Sequence, residues 1–249
     1  MCIRDSYGLP YLVDAHDTVL ISPTLHAKKR GSMFEPAFVR KQLEPGETWQ
    51  VLCRGEPISV AAPAVAAVQA LQLIRSRQCA WPVMASGDEE VLVRAVQLVD
   101  SSRRFLALTP EEIAAAGKGR VNNRWLASVL KASSALADSP KETEMRFLAA
   151  KVAEEYGLRL EEQVEFWANG KLVTRADLAF PEARIALYYD GIEHDAASTR
   201  LRDTSIDLHL TSIEWRSLRY GTKMLGGLIG HLEVVLRERG FAKVNETEI

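Results

Sequence analysis

Cysteine is scarce in this chain, and its positions exclude a disulfide framework. The 249 residues contain three cysteines, Cys2, Cys53 and Cys79, with no paired spacing. An odd number of widely separated cysteines argues against both a disulfide scaffold and a cysteine-based zinc site. This usage favours a reducing compartment, and we expect the protein to be cytoplasmic.

The sequence also lacks a long apolar run and a strong charge bias. Its longest apolar stretch, residues 58–74, contains Pro63, Gln69 and Gln72 and is too short to cross a bilayer. No apolar run follows the opening M-C-I-R-D-S, so no signal peptide is predicted, and residues 1–6 are expected to be a non-native start. The net charge is −2, which means that a nucleic-acid surface would have to be a local patch.

Residues 7–138 are predicted to form a smaller α+β domain, with strands followed by helices. This half contains no Gly-rich phosphate loop, HExxH or GxSxG motif, so its sequence predicts no chemistry. The boundary is predicted at residues 138–140, because Ser139 can cap a helix whose first residue is Pro140.

Residues 139–249 alternate between helical and strand patterns. Asn169-Gly170 is the strongest hairpin signal in the chain. The pattern predicts an α/β fold of order αβββαβα, with elements near residues 140–156, 163–168, 176–180, 185–189, 199–210, 214–220 and 223–238.

An aspartate interrupts the first of two short apolar strands in this domain. Asp177 lies within residues 176–180, and a carboxylate buried in an apolar strand is costly unless it is paired or holds a metal. A purely structural Asp177 would need a partner such as Arg175 or Arg184. Asp177 is therefore the first candidate for a functional residue.

The other polar residues near these strands each have a structural interpretation as well as a functional one. Glu142 can simply cap its helix, and Asp190-Gly191 can begin an ordinary turn. Arg200, Asp203 and Asp207 share one helix face and can form a solvated, salt-bridged surface. An exposed tryptophan can stack on a nucleic-acid base, whereas a buried one only packs in the core. Trp167 and Trp215 are both predicted to be core residues.

The element order and its carboxylates resemble the PD-(D/E)XK nuclease core, in particular the branch of very-short-patch-repair (Vsr) endonucleases. The resemblance covers residues 139–240 and rests on five motifs: S-P-K-E at 139–142, R-A-D-L-A-F-P-E at 175–182, Y-Y-D-G-I-E-H at 188–194, R-L-R-D-T-S-I-D at 200–207 and E-W-R-S-L-R at 214–219. Residues 7–138 are more weakly similar to the N-terminal region of AbiEi-like antitoxins. Together they resemble actinobacterial proteins that join these two parts.

The resemblance implies a restriction-endonuclease-like core with a mixed four-stranded sheet, and a site for Mg²⁺, or Mn²⁺ in its place. In such a core Asp177 is the central metal ligand, and Glu142 and Asp190 complete the set. His194 acts as general acid or base. The residues expected to contact DNA phosphates are Arg200, Arg202 and Lys141.

One position departs from the family pattern, and it leaves two functions open. The family carries a glutamate two residues before the aspartate of the Asp-Gly pair, and this chain has Tyr188 there. A phenol is a poor Mg²⁺ ligand at neutral pH. The first hypothesis is a Mg²⁺-dependent DNA endonuclease of phage defence or DNA repair. The alternative is a degenerate, antitoxin-type regulator that binds DNA or a toxin partner without cleavage.

Overall fold

The structure is a computed structural model that describes residues 9, 19–24, 37–40, 42–44, 46–53, 55–78, 81–191 and 197–244. The chain divides into two compact units, Met1–Ala135 and Leu136–Ile249. This division lies close to the boundary predicted at residues 138–140. The first unit is the longer of the two, so the prediction of a smaller first domain is wrong. None of the described helices is long and apolar enough to cross a membrane.

Strands precede helices in the described part of the first unit, which is the order predicted for residues 7–138. β1 (Val19–Ser22) pairs in parallel with β2 (Ala37–Arg40), and β3 (Thr48–Cys53) pairs antiparallel with β4 (Glu56–Ala61). The helices that follow are α1 (Pro63–Arg75), α2 (Gly87–Leu106), α3 (Pro110–Gly117) and α4 (Asn123–Ala132). Their fully buried side chains, which form an apolar core, include Val68, Leu71, Val96, Val99 and Ile113.

The second unit has the predicted order αβββαβα. Its elements are α5 (Pro140–Tyr156), β5 (Glu161–Ala168), β6 (Lys171–Phe180), β7 (Ile185–Asp190), α6 (Ala197–Ser212), β8 (Arg216–Gly221) and α7 (Leu228–Glu238), with a 3₁₀ turn at Leu225–Gly227 before α7.

The strands of this unit form one mixed sheet of order β5-β6-β7-β8. The first three strands are antiparallel, and β8 runs parallel to β7 because α6 returns the chain to the same end of the sheet. Asn169 and Gly170 both have positive φ, 49° and 73°. A two-residue loop with positive φ at both positions is the hairpin turn that an Asn-Gly pair favours, so this prediction is confirmed.

Helices cover both faces of the sheet. Met145 and Val152 of α5, together with Leu232 of α7, share a buried apolar cluster with alternate strand residues such as Leu178 and Leu187. A second cluster on the opposite face joins α6 to the strands through Ile206, Leu210, Ala176, Ala186 and Tyr188. Because adjacent strand residues point to opposite faces, Leu187 and Tyr188 belong to different layers.

Candidate metal centre

Glu142 lies in the first turn of α5, and its side chain helps to close the start of that helix. Ser139 is the N-cap, and its hydroxyl accepts the N–H of Glu142 at 3.2 Å. The Glu142 carboxylate accepts the backbone N–H of Asp138 at 2.8 Å and the hydroxyl of Ser139 at 2.9 Å. The capping role is therefore real. It leaves further lone pairs on both oxygens, since each carboxylate oxygen can accept more than one bond.

Asp177 lies where β6 and β7 stop pairing. The register between these strands ends at Leu178 and Leu187, and beyond it the Asp177 carboxylate replaces the next ladder bond. Its Oδ2 accepts the backbone N–H of Tyr189 at 2.6 Å. Its Oδ1 accepts no hydrogen bond from a described residue, so one oxygen is available to a ligand.

Neither of the arginines that the sequence offered as structural partners pairs with Asp177. Arg175 lies 3.6 Å from Asp138 Oδ2, and Arg184 forms an ion pair with Glu214. Within the part of the chain that the structure describes, neither Asp177 nor Glu142 forms an ion pair at all. The structural interpretation of Asp177, an aspartate neutralised by an arginine, is therefore wrong for these residues.

Both carboxyl groups have a raised pKa, and the charge of Asp177 contributes to the rise at Glu142. Burial, followed by the charge of Asp177, raises the pKa of Glu142 to about 7, against its bonds from Asp138 and Ser139. Burial is also the largest cause that raises the pKa of Asp177 to about 6, and the charges of Asp138 and Asp190 add to it. The N–H of Tyr189 and the more distant charge of Arg175 oppose this rise. A pair of acids held partly protonated near neutral pH is suited to exchange its protons for a cation.

Asp190 ends β7 but is committed elsewhere. Its Oδ1 lies 3.4 Å from Nη1 of Arg219, on β8. Partial burial raises the pKa of Asp190, and Arg219 opposes that rise. Among the described residues no three His, Cys, Asp or Glu side chains lie close enough together to hold a metal ion. Of the predicted ligands, the structure thus places Glu142 within reach of the charge of Asp177, and it leaves Asp190 in an ion pair with Arg219.

Tyr188 packs in the second apolar cluster, although its phenol still lies within reach of the charge of Asp177. Its ring belongs to the apolar cluster on the α6 side of the sheet, whereas α5, which carries Glu142, covers the other side. Burial raises the pKa of the Tyr188 phenol further above its ordinary value. Tyr188 is therefore unsuited to replace the missing glutamate as a metal ligand.

The structure describes the side chain of only one of the remaining predicted site residues, Lys141. His194 lies outside the described residues, and so do the side chains of Arg200 and Arg202, whose backbone belongs to α6. Lys141 donates to Glu144 Oε1 at 2.7 Å. The roles proposed for these four residues in acid–base chemistry and DNA contact stay predictions.

Two features of this unit were not predicted from the sequence. Trp167 is 57% exposed at the tip of the β5–β6 hairpin, so its assignment to the core is wrong, whereas Trp215 packs edge-on against Phe166 at 4.8 Å. Arg219, which holds Asp190, was not singled out either. The signal for Arg219 was its place in the alternating run 214–219, but local sequence does not show which strand lies beside it.

The oxygen donors of the Glu142–Asp177 pair fit a hard divalent cation. Such ions prefer carboxylate ligands, and among the described residues neither the buried Glu142 nor the half-buried Asp177 forms an ion pair with a cation. The chain matches no protein-family model, and searches of curated proteins and of solved structures gave no significant match. The resemblance to the PD-(D/E)XK core accordingly stays a prediction carried by sequence motifs and element order.

Proposed function

We propose that the second unit is a restriction-endonuclease-like core that binds Mg²⁺, or Mn²⁺ in its place, and hydrolyses phosphodiester bonds of DNA. The observation that carries this proposal is that Glu142, a buried carboxylate with no ion-pair partner among the described residues, lies within reach of the charge of Asp177. Their carboxylates come from a helix start and from a point of strand divergence, and each keeps oxygen lone pairs available. The sequence resemblance supplies the substrate class, and phage defence or DNA repair in the cytoplasm is the setting that we infer from it.

The residues of the chain have distinct tasks in this proposal. Asp177 would offer Oδ1 to the cation while its Oδ2 stays bonded to the N–H of Tyr189, which fixes the orientation of the carboxylate. Glu142 would bind directly or through water, oriented by Ser139. A cation held there supplies charge stabilisation for the phosphate and lowers the pKa of a bound water.

Plasmid nicking tests this proposal. We expect the purified protein to convert supercoiled plasmid to the nicked form with Mg²⁺ or Mn²⁺ and not with a chelator. Asp177→Asn keeps the shape of the side chain but removes its charge, and we expect it to reduce the rate by at least roughly a hundredfold, as losing a metal ligand commonly does. Glu154→Gln, on an exposed position of α5, is the matched control and should cut at the wild-type rate. Intact plasmid with both metals and a folded protein would contradict cleavage.

A second candidate, the antitoxin-type regulator that binds DNA or a toxin partner without cutting, is favoured by one observation. Asp190 is held by Arg219, and the described residues contain no three-ligand group. A regulator of this kind would bind DNA in a salt-sensitive manner that a chelator does not change. Gel-shift titrations with and without EDTA, run on the same preparations as the nicking assay, distinguish the two functions.

A further inference from the structure

One stretch of the first unit contains basic residues and no acidic ones. From residue 113 to residue 135 the sequence has no aspartate or glutamate, and its basic residues are Lys118, Arg120, Arg124 and Lys131. Over the whole chain, acidic residues outnumber lysine and arginine by 33 to 31. The stretch is therefore a local excess of positive charge, which nucleic-acid binding requires in a protein of net charge −2.

Within this stretch, α4 keeps its polar side chains and its apolar ones on opposite faces. Leu126 and Val129 are buried and pack into the first unit. Arg124, Ser128 and Lys131 are exposed, and their spacing of four and then three residues places them on one face of the helix. The cationic face of α4, defined by these three residues, is thus open to solvent.

The cations of this face have no carboxylate to neutralise them. Among the described residues, the side chains of Lys118, Arg124 and Lys131 form no ion pair and no hydrogen bond. Arg120 differs, because it pairs with Glu47 of the same unit. Exposed cations without a protein partner hold only counterions, and they release those counterions when they contact phosphates.

The neighbouring helices hold α4 in place and add to its positive charge. A Cβ built on Gly117, the last residue of α3, would lie 2.4 Å from Cδ2 of the buried Leu126, so α3 and α4 approach closely at a residue without a side chain. The guanidinium carbon of Arg75, at the end of α1, lies 5.3 Å from the centre of the Trp125 ring. Arg75 is exposed and places a further cation beside the first turn of α4.

The dimensions of the cationic face match the major groove of B-form DNA. Arg124 and Lys131 are separated by seven residues, or about 10 Å along the helix axis, and the groove is about 12 Å wide. Their long side chains can therefore reach the phosphates on both edges of the groove. Ala127 and Ser128 lie between them and are small enough for the base edges to approach.

Two other polyanions fit this face less well than DNA does. The major groove of A-form RNA is too narrow for side chains to enter. A helix that binds an anionic membrane needs large apolar side chains beside its basic ones. On the cationic face the only apolar residue is Ala127, whereas the larger Leu126 and Val129 are buried.

We propose that the cationic face of α4 binds in the major groove of double-stranded DNA. Arg124 and Lys131 contact phosphates on the two sides of the groove, Ser128 faces the base edges, and Lys118 and Arg75 add phosphate contacts beside them. The first unit thereby has a DNA-binding surface of its own. This inference goes beyond the proposed metal site, because it holds whether or not the second unit cleaves DNA.

Fluorescence anisotropy of the full chain with a labelled DNA duplex, about two helical turns long, tests this surface. EDTA in the buffer prevents metal-dependent cleavage, so affinity is measured separately from nicking. We expect Arg124→Gln and Lys131→Gln each to weaken binding roughly three- to tenfold at about 0.1 M salt. Each should also make the plot of log affinity against log salt shallower by about one, because one phosphate contact is lost.

Two further variants control for charge and for fold. Arg124→Lys keeps the positive charge, and we expect it to bind within about twofold of the wild type because a lysine also contacts phosphate. Lys243→Gln removes a cation that is already paired with Glu155 and Glu233 of the second unit, and it should change neither affinity nor salt dependence. Circular dichroism of each variant checks that the helices are intact.

Each other outcome would overturn the inference or leave it standing without the metal site. Unchanged DNA affinity in both α4 variants, or an equal loss in Lys243→Gln, would show that α4 does not bind the duplex. Displacement of the labelled DNA by an RNA duplex or by phosphatidylserine vesicles more readily than by unlabelled DNA would contradict the choice of partner. Affinity that depends on α4 in a protein that never nicks plasmid would support this surface and count against cleavage alone.

Discussion

At the scale of single residues, Glu142 has an observed structural role and a proposed chemical one. Its carboxylate closes the start of α5 through Asp138 and Ser139, and it also lies in the field of Asp177. Local sequence could not decide between a cap and a ligand, because Ser-Pro-x-Glu predicts the cap in either case. The structure shows that the two roles are compatible.

The raised pKa values of these two acids predict how stability changes with pH. The folded protein keeps protons on Glu142 and Asp177 up to about pH 7 and pH 6, whereas the unfolded chain loses them near its ordinary values of 4.5 and 3.8. Their contribution to stability is therefore fully present below the unfolded values and is lost as the pH rises through the folded ones. We expect the metal-free protein to lose about 1–3 kcal/mol between about pH 5 and pH 8 from this source.

Denaturant unfolding at the two pH values in the presence of EDTA measures this loss. Glu142→Gln and Asp177→Asn cannot titrate, so each should reduce the difference, whereas Glu154→Gln should leave it unchanged. An equal pH dependence in all four proteins would show that the pair does not carry the shift.

The sequence could single out Asp177 and Glu142 as candidates, but it could not indicate the partner of Asp190. An aspartate inside an apolar strand is anomalous on local grounds, which is why Asp177 was found. The contact between Asp190 and Arg219 depends on the parallel register that pairs Tyr188 with Arg219. That register is set by the α6 crossover and its packing, and no local pattern encodes it.

At the scale of elements, the start of α5 is the part of the fold that connects stability to the site. The hydroxyl of Ser139 accepts the Glu142 N–H and donates to the Glu142 carboxylate, so it caps the helix and orients the candidate ligand. Thr109 caps α3 in the same way, with Glu112 completing a reciprocal pair of bonds. α3 belongs to the first unit, which contains no part of the site.

Two cap substitutions separate these effects. Ser139→Ala and Thr109→Ala should each cost about 1 kcal/mol of unfolding free energy, the usual value of an N-cap. Only Ser139→Ala should also weaken Mn²⁺ binding, because only there does the hydroxyl hold a ligand. Chemical denaturation and Mn²⁺ titration of both variants check this. Equal Mn²⁺ affinity in the two would show that Ser139 has no orienting role.

The sequence predicts an element boundary well where adjacent residues form the turn or cap. It predicts a boundary poorly where buried contacts between distant residues determine the length of the helix. The Asn169-Gly170 hairpin and the start of α5 at Pro140 follow from single dipeptides and caps. α2 runs to Leu106 and contains Asp100 and Ser102, two buried polar residues whose bonds the sequence does not reveal. Asp100 accepts the N–H of Ser134 at 2.7 Å, and the Ser102 hydroxyl donates to Leu98 C=O at 2.8 Å.

At the scale of the whole molecule, one sheet carries key polar residues of the second unit. Asp177 lies on β6, Asp190 on β7 and Arg219 on β8. Its mixed four-stranded sheet was predicted in kind, since the αβββαβα order allows a hairpin meander followed by a crossover. The exposure of Trp167 was not, because the tip of the β5–β6 hairpin lies beyond the helices that cover the sheet. Which side chains meet across the layers depended on registers that only the folded chain fixes.

Anomalous diffraction from crystals of the full chain soaked in Mn²⁺ tests the central claim most directly. The account predicts one manganese peak between Asp177 Oδ1 and the Glu142 carboxylate. The peak should be absent from crystals of Asp177→Asn prepared in the same way. A wild-type map with no peak at this position, or with manganese bound only at the Asp203 and Asp207 carboxylates, would contradict it.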